Sequence, residues 1–111
     1  MSDVKIQTSS VGVPLKMYSL YFIYIPLKAG RVYGALAKSD GIVLSMKICS
    51  SRSWLKTDLL FNNPDAQKLV AKNGISLEEA KRSNQEIRAE SVSHLISILQ
   101  KLRDKYDQGG A

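Results

Sequence analysis

Apolar and polar positions change period along this chain. Strand-like runs fill the first half, and helical spacing fills the second. The segment 17–26, MYSLYFIYIP, is dense in aromatic and β-branched side chains, which suit a pleated surface. Pro26 cannot donate to a ladder and marks the strand end or an exposed edge. LKAG then turns the chain. The runs 31–38 (RVYGALAK) and 42–49 (IVLSMKIC) flank Asp40-Gly41, a strong hairpin signal. A two-residue turn there pairs Ser39 with Ile42, so Ala37 faces Leu44, Ala35 faces Met46 and Tyr33 faces Ile48. A four-residue turn at Lys28–Arg31 pairs Tyr24 with Ala35 and Phe22 with Ala37. Phe22, Tyr24 and Tyr33 then share the face of the small alanines, the expected core. The other face holds Tyr21, Ile23, Ile25, Val32, Leu36, Lys38, Val43 and Lys47. That mixture is too apolar for a solvated sheet face, so it is expected to touch the chain's own helices, a second subunit or a ligand.

In the second half, 50–63 (SSRSWLKTDLLFNN) is ambiguous. Trp54, Leu55, Leu59 and Leu60 have helical spacing behind a serine cap, but a strand or irregular crossover is the preferred reading. Residues 63–74 predict a short helix: Asn63 caps, Pro64 suits the first position, Asp65 complements the dipole and Gly74 suits the exit. From Ser76, with capping-box spacing to Glu79, no Gly or Pro interrupts the chain until Gly109. A single helix over 76–106 is predicted. At about 45 Å it exceeds the diameter of a small domain, so it either projects or breaks near residues 82–86. Val92, Leu95, Leu99, Leu102 and Tyr106 follow a three-four spacing, broadened by Ile96 and Ile98. This stripe serves either as core against the sheet or as a homodimer seam.

The fold class expected is therefore α+β: an antiparallel sheet of three to four strands, then a short helix and a long C-terminal helix. Residues 1–16 are expected to form a flexible or edge-strand arm, 17–106 a single domain, and 107–111 a disordered tail.

Composition adds a charge asymmetry. The 111-residue chain carries +6, and all of it lies in residues 1–57, with eight Lys or Arg against two acids. Residues 58–111 hold eight of each sign. Such a bias hints at an anionic partner. A single cysteine, Cys49, and no evident secretory pattern at the start point to a reducing, cytoplasmic setting. The longest apolar run, Leu20 to Leu27, is too short for a membrane helix.

Candidate chemistry is sparse. One histidine and one cysteine cannot supply a four-ligand zinc site, and no glycine-rich phosphate loop is present. His94 has Glu90 four residues before it but no evident nucleophile to serve, and Cys49 ends a core-like strand. Neither an enzyme nor a cofactor is expected. Basic residues interleaved with aromatics are instead what single-strand nucleic-acid binders use. Tyr18, Tyr21, Phe22, Tyr24, Tyr33 and Trp54 accompany Lys16, Lys28, Arg31, Lys38, Lys47, Arg52 and Lys56. Phe22 and Trp54 also suit a core role. The expected function is binding of single-stranded DNA or RNA, mainly electrostatic. Lys28, Arg31, Lys38, Lys47, Arg52 and Lys56 would hold phosphates, and Tyr21 or Trp54 would stack on bases. The alternative is a homodimeric structural or adaptor protein that binds another protein through the open sheet face or the Val92–Tyr106 stripe.

Overall fold

The computed structural model describes residues 20–109. The expected arm over 1–16, and with it Lys16 and Tyr18, lies outside the described residues. The elements in chain order are β1 (Leu20–Pro26), β2 (Val32–Lys38), β3 (Val43–Cys49), α1 (Arg52–Phe61), α2 (Pro64–Lys72), α3 (Leu77–Ser83), β4 (Gln85–Arg88) and α4 (Val92–Gly109). The strands form one sheet in the order β3-β2-β1-β4. The class is α+β, as expected. The sheet is mixed, however, because β4 runs parallel to β1.

Three local readings are corrected. Residues 52–61 form a helix. Ser51 caps it by accepting from the Trp54 N–H, and Leu55, Leu59 and Leu60 are buried along one face. The long helix over 76–106 does not exist as one element. Asn84 adopts extended backbone, with ψ 161°, and Gln85–Arg88 joins the sheet. The physical reason is the exposed edge that β1 would otherwise present. Its central residues Phe22 and Ile23 are wholly buried, and buried backbone groups need partners. Residues 85–88 supply them. The tail at 107–109 continues α4.

The third correction is one of register. The turn after β1 lies where it was expected. Ala29 (φ 60°, ψ 32°) and Gly30 (φ 75°) form the left-handed pair of a tight hairpin turn. But Leu27 N–H donates to the Arg31 carbonyl while Arg31 N–H donates to the Lys28 carbonyl, so Lys28 is an extra, bulged residue. The pairing therefore shifts by one: Tyr24 lies opposite Gly34, Phe22 opposite Leu36 and Ile23 opposite Ala35. A one-residue slip exchanges the faces of the whole strand. Phe22 and Tyr24 join Val32 and Leu36, whereas Tyr21, Ile23 and Ile25 join Tyr33, Ala35 and Ala37. The β2–β3 pairing is as expected at Tyr33–Ile48 and Ala35–Met46. A second irregularity pairs Ala37 with Val43 and turns Leu44 toward the opposite face, where Asn63 Nδ2 donates to its carbonyl oxygen at 2.8 Å.

Both sheet faces are consequently covered in part. Leu20, Phe22, Val32 and Leu36 pack against Leu55, Leu59, Leu60, Ala66, Val70 and Ala80 from α1, α2 and α3. On the other face Ile23, Ile25, Ala37 and Ala89 pack against Leu95, with Ile98, Leu99 and Leu102 beside them. Burying a side chain such as Phe22 or Leu55 contributes roughly 1.5–3 kcal/mol each. The stripe on α4 is thus largely core. Leu95 is buried, and Leu99 and Leu102 are half-buried beside it, so these three serve the chain's own core. Val92 and Tyr106 remain exposed. The molecule is 51 Å in its longest dimension, and residues 103–108 of α4 are all exposed.

Candidate nucleic-acid interface

The corrected register separates the aromatic and cationic residues that the sequence places together. Tyr21 packs half-buried with the α4 cluster, while Lys38 and Lys47 belong to the face of α1 and α2. Tyr21 is therefore not a stacking platform beside those lysines. Lys47 is neutralised by Asp58 of α1, an ion pair with a direct hydrogen bond. That bond raises the Lys47 pKa, and the same bond, with a second from Asn62, holds the Asp58 carboxyl below the usual carboxylate range. A depressed carboxylate contributes stability above its unfolded pKa. The contribution is lost as pH falls through the lowered folded value. Lys38 lies 3.5 Å from Asp40.

Lys56 is also unavailable. Its Nζ lies 2.6 Å from Glu86 Oε2 and 5.9 Å from the centre of the Phe22 ring, and only 10% of its side chain is exposed. Arg52 shares the same acid, with Nε 3.7 Å from Glu86 Oε1. Its guanidinium also donates to the Tyr24 hydroxyl at 3.3 Å and lies 5.4 Å from that ring's centre. The Tyr24 hydrogen bond, followed by the Glu86 charge, pushes the Arg52 pKa up. Tyr24 in turn stacks on Phe22, with centroids 5.5 Å apart. Arg52 remains exposed at the start of α1, so it is anchored rather than hidden.

What the fold does gather is one end of the sheet. The β1–β2 turn, the β3–α1 connection and the end of β4 meet there, since Val32 pairs with Cys49 and Tyr24 with Arg88. Lys28, Arg31, Arg52 and Arg88 are all exposed at this end. Trp54, in the first turn of α1, is 61% exposed, the largest value among the exposed large hydrophobics. Among the described residues Lys28, Arg31 and Arg88 make no ion pair. Arg88 escapes the sequence reading because residues 76–106 read there as one helix; only the parallel pairing brings it beside Tyr24.

His94 and Cys49 are not brought together. His94 caps the entry to α4, its Nδ1 accepting from the Glu90 N–H at 3.0 Å. Cys49 packs against the α1–α3 cluster on the opposite face of the sheet. No group of three metal-ligating side chains occurs among the described residues, and no helix there is long and apolar enough to cross a membrane.

The chain matches no family model, no curated protein and no solved structure. The functional reading rests on these residues alone.

Proposed function

We propose that the protein binds single-stranded nucleic acid at the sheet end where Lys28, Arg31, Arg52 and Arg88 are exposed, with Trp54 standing in solvent in the first turn of α1. The observation that carries this reading is the exposed indole. A large aromatic left in solvent at the end of the sheet that carries exposed cations, three of them without an ion pair among the described residues, suits a base that is already unstacked, and the cations suit its phosphates. Lys47 and Lys56 leave the contact set because acids hold their charges, and Tyr21 leaves it because its ring packs in the core. A duplex is the poorer fit, since the exposed cations of this site lie on a turn, a strand end and a helix start and not along one helix that could enter a groove.

Trp54 is the only tryptophan, so its fluorescence reports on this site alone. A single-stranded oligonucleotide is expected to quench it at low salt. Each neutralised phosphate contributes about −0.7 to the log–log salt slope, so the free cations together predict a slope of roughly −2 to −3. Trp54→Ala, followed by anisotropy of a labelled strand, is expected to weaken binding about tenfold with the fold unchanged. Absence of quenching at low salt overturns the proposal.

A second reading, self-association, is favoured by a different observation. Among the described residues β3 is an edge strand, and its Met46 and Ile48 are 42% and 45% exposed. Its one charged side chain, Lys47, is already neutralised by Asp58, so the usual electrostatic guard of an edge is cancelled. A second copy paired antiparallel about Met46 sets Lys47 opposite Ser45, with no like charges in register. Light scattering is expected to show a dimer that Ile48→Lys dissociates. A wild-type monomer at high concentration removes this reading.

A further inference from the structure

Away from the Trp54 end, an open cleft of about 440 Å³ lies between the β2–β3 hairpin and α2. Lys38, Ile42 and Leu44 line it from the hairpin, and Asp65, Lys68, Leu69 and Lys72 from the helix. Its volume falls within the range of small-molecule sites. Its apolar lining is Ile42, Leu44 and Leu69. Lys68 and Lys72 stand four residues apart on one helix face, where like charges repel, and neither is neutralised by an ion pair among the described residues. An anion in the cleft relieves that repulsion. Asp65 lies seven residues before Lys72, about 10 Å along the helix axis at 1.5 Å per residue. Along the helix side of the cleft the Asp65 carboxylate comes first, Lys68 one turn on and Lys72 a further turn on, with Leu69 beside them and Ile42 and Leu44 facing them from the hairpin.

We propose that this cleft binds one nucleotide unit: its phosphate on Lys68 and Lys72, its base on Ile42, Leu44 and Leu69, and an exocyclic amino group donating to Asp65. The class of ligand rests on the nucleic-acid reading above. The chemistry of the lining then selects within that class. A carboxylate accepts from the exocyclic amino group of cytosine, whereas uracil presents a repelling carbonyl at that position and only its ring N3–H beside it. The second half of the chain, neutral in total charge, therefore contributes a local anion site that net charge does not reveal. The cleft and the Trp54 end flank the length of β2, seven residues or about 23 Å at 3.3 Å per residue, so one strand of several nucleotides reaches both.

The test uses cytidine and uridine monophosphates with the isotopically labelled full chain, following backbone amide shifts. Saturable shifts at Ile42, Leu69 and Lys72 are expected, with cytidine monophosphate preferred about tenfold. Asp65→Asn is expected to remove the preference while retaining binding. Lys68→Glu with Lys72→Glu is expected to abolish the shifts for both nucleotides. Circular dichroism checks that each variant folds. Shifts spread evenly over the surface, or shifts that survive the double charge reversal, overturn the proposal. The oligonucleotide quenching of Trp54 separates the two readings. Quenching without cleft shifts leaves the Trp54 interface standing and removes the cleft. Cleft shifts without quenching keep the nucleotide site and remove the interface.

Discussion

Gly41→Ala is expected to lower the free energy of unfolding by about 2–4 kcal/mol, with two separable causes. Gly41 has φ +85°, the left-handed region, where an L residue costs roughly 1–2 kcal/mol. A β-carbon there also stands 2.6 Å from the Leu99 carbonyl oxygen and 3.2 Å from both the Arg103 nitrogen and its Cβ. Two of those atoms are helix backbone and cannot rotate away. The hairpin tip or α4 has to move, and Leu99 and Leu102 loosen from the Ile23–Ala37 cluster as it does. Gly30→Ala is the control. Its φ of +75° carries the same kind of strain, but nothing lies within 4 Å of the added carbon. Urea unfolding followed by circular dichroism is expected to show Gly41→Ala losing about twice as much as Gly30→Ala or more. Equal losses mean that α4 does not bear on the hairpin.

The same contact shows what was legible in the sequence and what was not. Asp40-Gly41 announces its hairpin because its chemistry is local: a turn that needs positive φ, between two alternating runs. The α2 helix is equally local, with Asn63 accepting from the Ala66 N–H and Pro64 at the first turn. The errors lie where distant partners decide or where a turn takes in one extra residue. Lys28 carries no mark of a bulge, yet that one residue exchanges the faces of β1 and moves Tyr21 from the cations to the α4 core. Gln85–Arg88 has helical neighbours on both sides and becomes strand because β1 lacks a partner on that edge. Residues 52–61 hold the right spacing for a helix, and only the packing of Leu55, Leu59 and Leu60 on Phe22 and Leu36 settles it.

The candidate interface follows the same rule. Lys28, Arg31 and Arg52 were legible from charge, because exposed cations near a turn and a helix start need little context. The neutralisation of Lys47 and Lys56 was not. Their partners Asp58 and Glu86 are 11 and 30 residues away along the chain. Charge counting over 1–57 therefore overstates the positive field available to a ligand, and it misses Arg88, which lies in the electrically neutral half. A basic sequence becomes a basic surface only after the acids have been assigned.

Glu86 is the acid on which that assignment turns, and its removal is expected to push stability and binding in opposite directions. Lys56 is held at 2.6 Å from Glu86 with 10% of its side chain exposed, whereas Glu86 is 33% exposed. Glu86→Ala leaves the largely covered ammonium above the Phe22 ring without a counter-charge. Stripping one partner from a fully buried pair costs about 3–5 kcal/mol, and an exposed pair is worth under about 1 kcal/mol, so this intermediate pair predicts a loss of about 2 kcal/mol. Adding Lys56→Met removes the stranded charge, and the double variant is expected to regain most of the loss. Binding moves the other way. Arg52 loses its carboxylate neighbour at 3.7 Å, becomes free to neutralise a phosphate, and no acid repels the strand at that end. Oligonucleotide affinity at low salt is expected to rise severalfold, with the salt slope steeper by about 0.7. A destabilised Glu86→Ala protein that binds no better separates the ion pair from the interface: the network then serves the fold alone, and the Trp54 end is not where the strand lies.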